Sequence, residues 1–170
     1  MSDAPGTPPP GSTRLRNKAD SDAEFLLRVY ASTRAEELAL TNWTASQKEH
    51  FCRLQFEAQS VDYARNYPHA QYSIIEHNGQ PVGRLMVDRR ETAVHIIDIA
   101  LLPDARGGGL GTYYLRELMQ EASASGKVLS IHVEKFNRAL RLYLRLGFQP
   151  VEDKGIYLLM EWKPSAPATA

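Results

Sequence analysis

The constraint that weighs most on this chain is a glycine run, Arg106-Gly107-Gly108-Gly109-Leu110-Gly111, set between a strand-like and a helix-like segment. Before it, Ile96-Ile97-Asp98-Ile99-Ala100-Leu101-Leu102 is short, apolar and rich in β-branched residues, which predicts a buried strand within residues 93–102. Pro103 and Asp104 end that strand. After the run, Leu110, Tyr114, Leu118 and Ala122 recur at i, i+4 spacing with Leu115 and Met119 beside them, the signature of a half-buried helix. Gly126 suits the position just past its end. Glycines strip the side chains from most of the intervening loop, so main-chain N–H groups can approach a ligand closely. A bare loop opening a helix also presents unpaired N–H groups at the positive end of the helix dipole. The ligand this predicts is a phosphate or diphosphate.

Two common phosphate loops do not fit. A Walker loop needs Lys and Ser or Thr after its last glycine, but Thr112-Tyr113 follow Gly111. A dinucleotide fingerprint starting at Gly107 or Gly109 would need a glycine where Thr112 or Tyr114 stands. What fits is Arg106-x-x-Gly109-x-Gly111 directly after a strand. This resembles the coenzyme A diphosphate loop of the GNAT superfamily of N-acetyltransferases. Downstream, Asn137-x-Ala139-x-x-Leu142-Tyr143-x-x-x-Gly147-Phe148 is similar to that family's second signature, in the expected order and distance. The resemblance covers roughly Thr13 to Trp162, with the specific motifs in the second half.

Composition sets the outer bounds. A chain of 170 residues with 43% apolar and 24% charged side chains supports one globular domain. Twenty basic residues balance twenty acidic ones, so no general attraction to nucleic acid or an anionic membrane is implied. Cys52 is the single cysteine, which excludes a disulfide framework and a zinc cluster. No stretch approaches the roughly 20 apolar residues of a membrane span, and the N-terminus lacks an apolar signal core. A cytoplasmic location is expected. The Pro/Gly-rich residues 1–12 and the tail 164–170 are expected to be disordered, leaving residues 13–163 as the domain.

In chain order, Thr13–Ala19 reads as a first strand. Asp20 or Ser21 can cap the helix that follows, with Ser21 and Glu24 placed as a capping box and Phe25, Leu26, Val29, Tyr30 and Leu38 on its buried face. A second helix starts near Thr44, with Gln47 box-like, and runs to about Asn66. Phe51, Leu54, Phe56, Ala58, Val61 and Tyr63 supply its apolar side. Residues 71–77 and 81–88 form strands around the hairpin signal Asn78-Gly79. After the loop and its helix come a strand at 128–134, a helix at 137–146 stopped by Gly147, and strands at 148–151 and 156–162 around a turn at Asp153-Lys154-Gly155. The order βααβββαβαββ gives a mixed α/β sheet with helices on both faces.

The resemblance adds detail. It implies a GNAT fold, with a mostly antiparallel sheet opening as a V between the fourth and fifth strands, and a bulge near Ile99, Ala100 and Leu101 that exposes backbone to the pantetheine arm. It implies that Arg106, Gly107, Gly108, Gly109, Leu110, Gly111 and Thr112 cradle the diphosphate, that Asn137 seats the cofactor, and that Tyr143 stands beside the thioester sulfur. The cofactor is then acetyl-CoA, with no metal. The reaction is acyl transfer to a primary amine by direct attack in a ternary complex. Such an amine must first lose a proton. Tyr143 suits protonation of the departing thiolate, since a phenol titrates near 10. Many family members carry a glutamate eleven positions before the loop motif, and counting back from Arg106 gives His95 instead. His95, Asp98 and, on the next strand, His132 are the candidate bases, and a structural Asp98–histidine pair is the competing reading.

The two early helices and Thr41-Asn42-Trp43 lie where the family builds acceptor selectivity. Trp43 reads as a packed loop aromatic, and Glu36, Glu37, Glu57 and Asp62 as solvated charges that could meet a cationic amine. Arg138, Arg141 and Arg145 read as a solvated helix face, and Cys52 as an inert buried thiol. The acceptor, a small-molecule or protein amine, is not legible here, nor is the choice between monomer and homodimer, although family members often pair through edge strands. A non-catalytic acyl-CoA sensor using the same loop is the alternative reading, and a nucleotide-binding protein of another fold is a further rival.

Overall fold

Turn and cap chemistry sets most element boundaries in the computed structural model, which describes residues 11–165. The strands are β1 (Thr13–Asn17), β2 (Gln71–His77), β3 (Gln80–Arg89), β4 (Ala93–Leu101), β5 (Val128–Glu134), β6 (Gln149–Asp153) and β7 (Tyr157–Trp162). The helices are α1 (Ala23–Ala39), α2 (Ala45–Asn66), α3 (Leu110–Ser125) and α4 (Leu140–Arg145). Asn78 and Gly79 both adopt positive φ, 52° and 78°, as a two-residue hairpin turn requires. The Thr44 box forms as its sequence predicts: Gln47 N–H donates to Thr44 Oγ1 at 3.2 Å and Thr44 N–H donates to Gln47 Oε1 at 2.9 Å. The expected disordered ends fall mostly on residues 1–10 and 166–170, outside the described residues. Ser12 is described, and it exchanges hydrogen bonds with Asn78 at 2.7 and 3.0 Å.

Seven strands make one sheet in the order β1-β2-β3-β4-β5-β7-β6. The β4–β5 pairing is parallel, and the β1–β2, β5–β7 and β6–β7 pairings are antiparallel. The β4–β5 register runs only from Ala93↔Val128 to Ile96↔Ile131, although β4 continues to Leu101 and β5 to Glu134. Beyond that point β5 stays paired with β7, through Glu134↔Tyr157. Burial on β4 changes at the same place: Val94, His95 and Ile96 are buried, and residues from Ile97 to Leu101 only half-buried.

The chain divides into two compact units. Of the described residues, one comprises Val87–Asp98 and residues 112–165; the other comprises residues 11–86 with Ile99–Gly111. In the first, α3 works as its spacing predicts. Tyr114, Leu115, Leu118, Met119 and Ala122 are all buried, and each large apolar side chain so buried contributes about 1.5–3 kcal/mol. Leu129, Ile131, Val133, Phe148 and Met160 complete that core.

In the second unit, α1 buries Leu26, Leu27, Val29, Tyr30 and Leu38. Its start differs from the expected Ser21–Glu24 box. Asp22 stands at the N-cap position without a side-chain cap bond; its carboxylate accepts the Ala19 N–H at 2.8 Å, closing the turn before the helix, and both guanidinium nitrogens of Arg16 at 2.8 Å, while Glu24 accepts from Arg53 at 3.0 Å. The two bonds from Arg16 are charge-assisted. On α2 most of the apolar residues are left uncovered. Only Cys52 is buried there; Leu54 and Val61 are 51% and 60% exposed. At about 100° per residue, Leu54, Ala58 and Val61 fall on one side, and Cys52, Phe56 and Tyr63 on another. Only the second side meets α1, through the cluster of Leu27, Tyr30, Leu38 and Cys52 with Phe56 beside it. The last helix, α4, is shorter than the predicted 137–146, because Asn137 forms a turn before it rather than its first residue.

Candidate active site

The glycine loop is open and its conformation demands its composition. Gly107 and Gly109 adopt φ of 80° and 89°, and a Cβ at Gly107, Gly108 or Gly109 would meet nothing within 4 Å. Glycine is therefore set by backbone conformation at 107 and 109, not by crowding. Among the described residues, no hydrogen bond engages the N–H groups of Gly107, Gly108 or Gly109. These groups lead into a helix of sixteen residues whose first turn begins at Leu110, the arrangement that attracts an anion. Leu110 itself is 3% exposed and anchors the helix start. Arg106 secures the loop's entry: its Nε donates to the Leu101 carbonyl at 3.0 Å and its Nη2 to Ser32 Oγ at 3.3 Å.

Ile99, Ala100 and Leu101 are half-buried at the end of β4. Gly83 on β3 lets the backbones close there, since a Cβ on it would run into the Ala100 carbonyl oxygen. Neither Gly83 nor Ser32 stands out in the sequence, because what requires them is a contact with a distant segment.

Tyr143, on α4, is 5% exposed. Its ring packs edge-on against Phe148 with centroids 5.5 Å apart, and its carbonyl accepts the Phe148 N–H at 3.0 Å. Gly147, at φ 99°, makes that return possible. Burial pushes the phenol well above its usual value and the negative charge of Asp98 pushes it further in the same direction. Tyr143 is therefore a protonated phenol throughout the physiological range, and Asp98 lies within electrostatic reach of it. Asn137 is exposed, and its side-chain carbonyl accepts the Ala139 N–H at 2.8 Å, shaping the approach to α4.

His95 points into a different group. It is 2% exposed; its Nδ1 lies 2.7 Å from Ser130 Oγ and its Nε2 lies 3.3 Å from His132 Nδ1. The two imidazole rings meet edge to face, 5.0 Å apart. Burial lowers the His95 value to about 4, with Arg90 and His132 adding to the effect. Burial also lowers His132. Both rings are neutral near pH 7. Ser130 was not foreshadowed by the sequence, where a lone serine in an apolar strand carries no signal.

Among the described residues no group of three or more His, Cys, Asp and Glu could hold a metal ion, and no helix is long and apolar enough to cross a membrane. Cys52 is 2% exposed with its thiol pushed up by burial, and Trp43 packs edge-on against Phe51 with centroids 5.2 Å apart.

The family model described as Acetyltransferase (GNAT) family matches residues 34–148, more than half of the chain. The chain belongs to the GNAT acetyltransferase family. Three solved structures show the likeness of fold. The PaiA N-acetyltransferase of Thermoplasma acidophilum, in complex with coenzyme A, superposes with a TM-score of 0.69 at 16% identity, covering 90% of this chain and 99% of that one. An acetyltransferase from Thermus thermophilus gives 0.64 at 20% identity, over 90% and 97%. The acetyltransferase yncA from Salmonella typhimurium, with its cofactor acetyl-CoA, gives 0.53 at 20% identity, over 92% and 96%. At these identities the GNAT fold is what is shared. It agrees with the seven-stranded, mostly antiparallel sheet flanked by helices.

Proposed function

We propose that this GNAT acetyltransferase moves an acetyl group from acetyl-CoA to a primary amine by direct attack in a ternary complex. The observation that carries the reading is the run of exposed glycines Gly107, Gly108 and Gly109, their main-chain N–H groups unbonded among the described residues, leading into the start of α3. Open space over the loop and the positive helix end match a diphosphate. Gly107, Gly108, Gly109, Leu110, Gly111 and Thr112 hold that group. Arg106 keeps the loop in place through Leu101 and Ser32, Asn137 shapes the turn before α4, and Ile99, Ala100 and Leu101 line the arm of the cofactor. When bound, acetyl-CoA supplies an activated thioester.

The chain's own residues handle the protons. Tyr143, held protonated by burial and by Asp98, gives its phenolic proton to the departing sulfur. Asp98, half-buried and within electrostatic reach of that phenol, takes the proton of the incoming amine, directly or through water. His95 is 2% exposed within the paired part of β4, whereas Asp98 is half-buried beyond the end of the β4–β5 pairing, which favours Asp98 for this step. His95 and His132 instead keep the neighbouring part of β4 and β5 neutral and ordered.

An amine panel assayed by release of free coenzyme A thiol tests this reading, alongside calorimetry with acetyl-CoA and with ATP. Turnover on at least one amine, with acetyl-CoA bound and ATP not, is the expected result. Acetyl-CoA binding without turnover on any amine would leave a sensor, and ATP binding alone would remove the assignment.

A further inference from the structure

Away from the glycine loop, α1 and α2 border an open cavity of about 460 Å³, within the size range of small-molecule sites. Its walls are Leu27, Ala31, Ala35, Leu38 and Ala39 from α1 and Cys52 from α2. The volume has a local cause. Ala31, packed against the cluster that holds Cys52, and the exposed Ala35 one turn on present only methyl groups on this side of α1. Ser32, one residue from Ala31, turns instead toward Arg106. The cavity therefore has a wall of its own on α1, separate from the face that supports the loop.

Charge around the opening is uneven. Glu24 and Glu49 border the cavity, but both are engaged by Arg53, at 3.0 and 3.6 Å. Arg28 and Lys48 border it too. Arg28 rests over the Phe25 ring at 5.7 Å, and among the described residues neither cation has a carboxylate partner. Nearby, Arg34 is paired with Glu37 at 3.2 Å and raises the positive potential at Cys52. The site therefore combines an apolar interior with a rim where the acids are neutralised and two cations are not.

We propose that this pocket binds a soluble amphiphilic carboxylate: an apolar body against Leu27, Ala31, Ala35, Leu38 and Cys52, and an anionic head met by Arg28 and Lys48. Apolar burial supplies the attraction, and charge-assisted hydrogen bonds from the two cations select the anion. The site shares none of the residues assigned above to coenzyme A binding or to proton transfer.

Calorimetry with decanoate, used below its micelle concentration, tests the proposal on the full chain. Decyltrimethylammonium and decanol serve as equal-chain controls of opposite and zero charge. The expected result is saturable binding of one decanoate per chain, at least about tenfold tighter than either control. The double variant Arg28→Glu/Lys48→Glu should weaken decanoate by about tenfold or more and leave decanol unchanged. Ala35→Phe, which fills the cavity, should abolish binding of decanoate altogether. Equal affinity for the three amphiphiles, or decanoate affinity unchanged in the double variant, would overturn the proposal. The charge-reversed positions are at the rim, so that variant decides the matter even if the phenylalanine variant does not fold.

Discussion

Gly107, Gly108 and Gly109 lie in open space with their main-chain N–H groups unengaged, whereas Tyr143 and His95 are 5% and 2% exposed and surrounded by side chains. In the reaction proposed above, the first region works through backbone direction, so what its sequence must supply is conformational freedom. The second would work through ionisation, so what matters is what covers each titratable group and which charge sits beside it. Substitutions should therefore fail differently in the two places. In the loop the damage follows the φ angle. In the cluster it follows protons.

The largest separation is expected from Tyr143→Phe, which keeps the ring against Phe148 and removes only the phenolic hydroxyl. It should lower kcat by about 10²-fold or more while acetyl-CoA affinity measured by calorimetry stays within about twofold. Equal loss in both quantities would place Tyr143 with the binding residues and erase the contrast.

Next comes acid. The folded value of His95, about 4, lies below its ordinary value of 6.5, so the unfolded chain takes up that proton first as pH falls. The contribution to stability is therefore complete above about pH 6.5 and is lost as pH drops toward 4, on the order of 2–3 kcal/mol. His132 shifts in the same direction and adds to the loss. Asp22, lowered from 3.8 to about 2 by Arg16, acts only below that window. Urea unfolding between pH 7 and 4.5 measures the effect, and a flat profile would mean that His95 is solvated in solution.

A smaller effect is expected within the loop. Gly109→Ala places a Cβ on a residue at φ 89°, which strains the chain by about 1–2 kcal/mol. Thermal unfolding and coenzyme A binding should both weaken. Gly108→Ala is the matched control and the smallest effect of all. Its φ is not in the left-handed region and the space is open, so stability should hold or rise by about 0.5 kcal/mol. If the two alanines behave alike, backbone conformation is not what selects glycine there.

The same contrast explains what could be read from residue order. Features that depend on a residue and its near neighbours were legible: the positive-φ glycines of the loop, the Asn78-Gly79 turn, the Thr44–Gln47 cap and the α3 spacing. The family motifs carried Tyr143 and Asn137 because their order along the chain is itself the signal. What depended on a distant segment was not legible. Asp22, not Ser21, stands at the start of α1, and its carboxylate is taken up by Arg16 from β1. The apolar residues of α2 divide between two faces, and only packing against α1 reveals which face is covered. Ser130 and Gly83 acquire their roles from His95 and Ala100, 35 and 17 positions away. Asp98 and His95, three residues apart on one strand, could be named as candidate bases from sequence, but only their surroundings separate them.

At the outer margin of the sheet, all five residues of β6 are exposed, Pro150 lacks a donor hydrogen, and the register slips between Pro150 and Glu152. Such a border offers an incoming strand an interrupted ladder and two carboxylates, Glu152 and Asp153. Self-association by continuing the sheet is discouraged on that side, so the protein can expose a full strand to water without seeding fibrils.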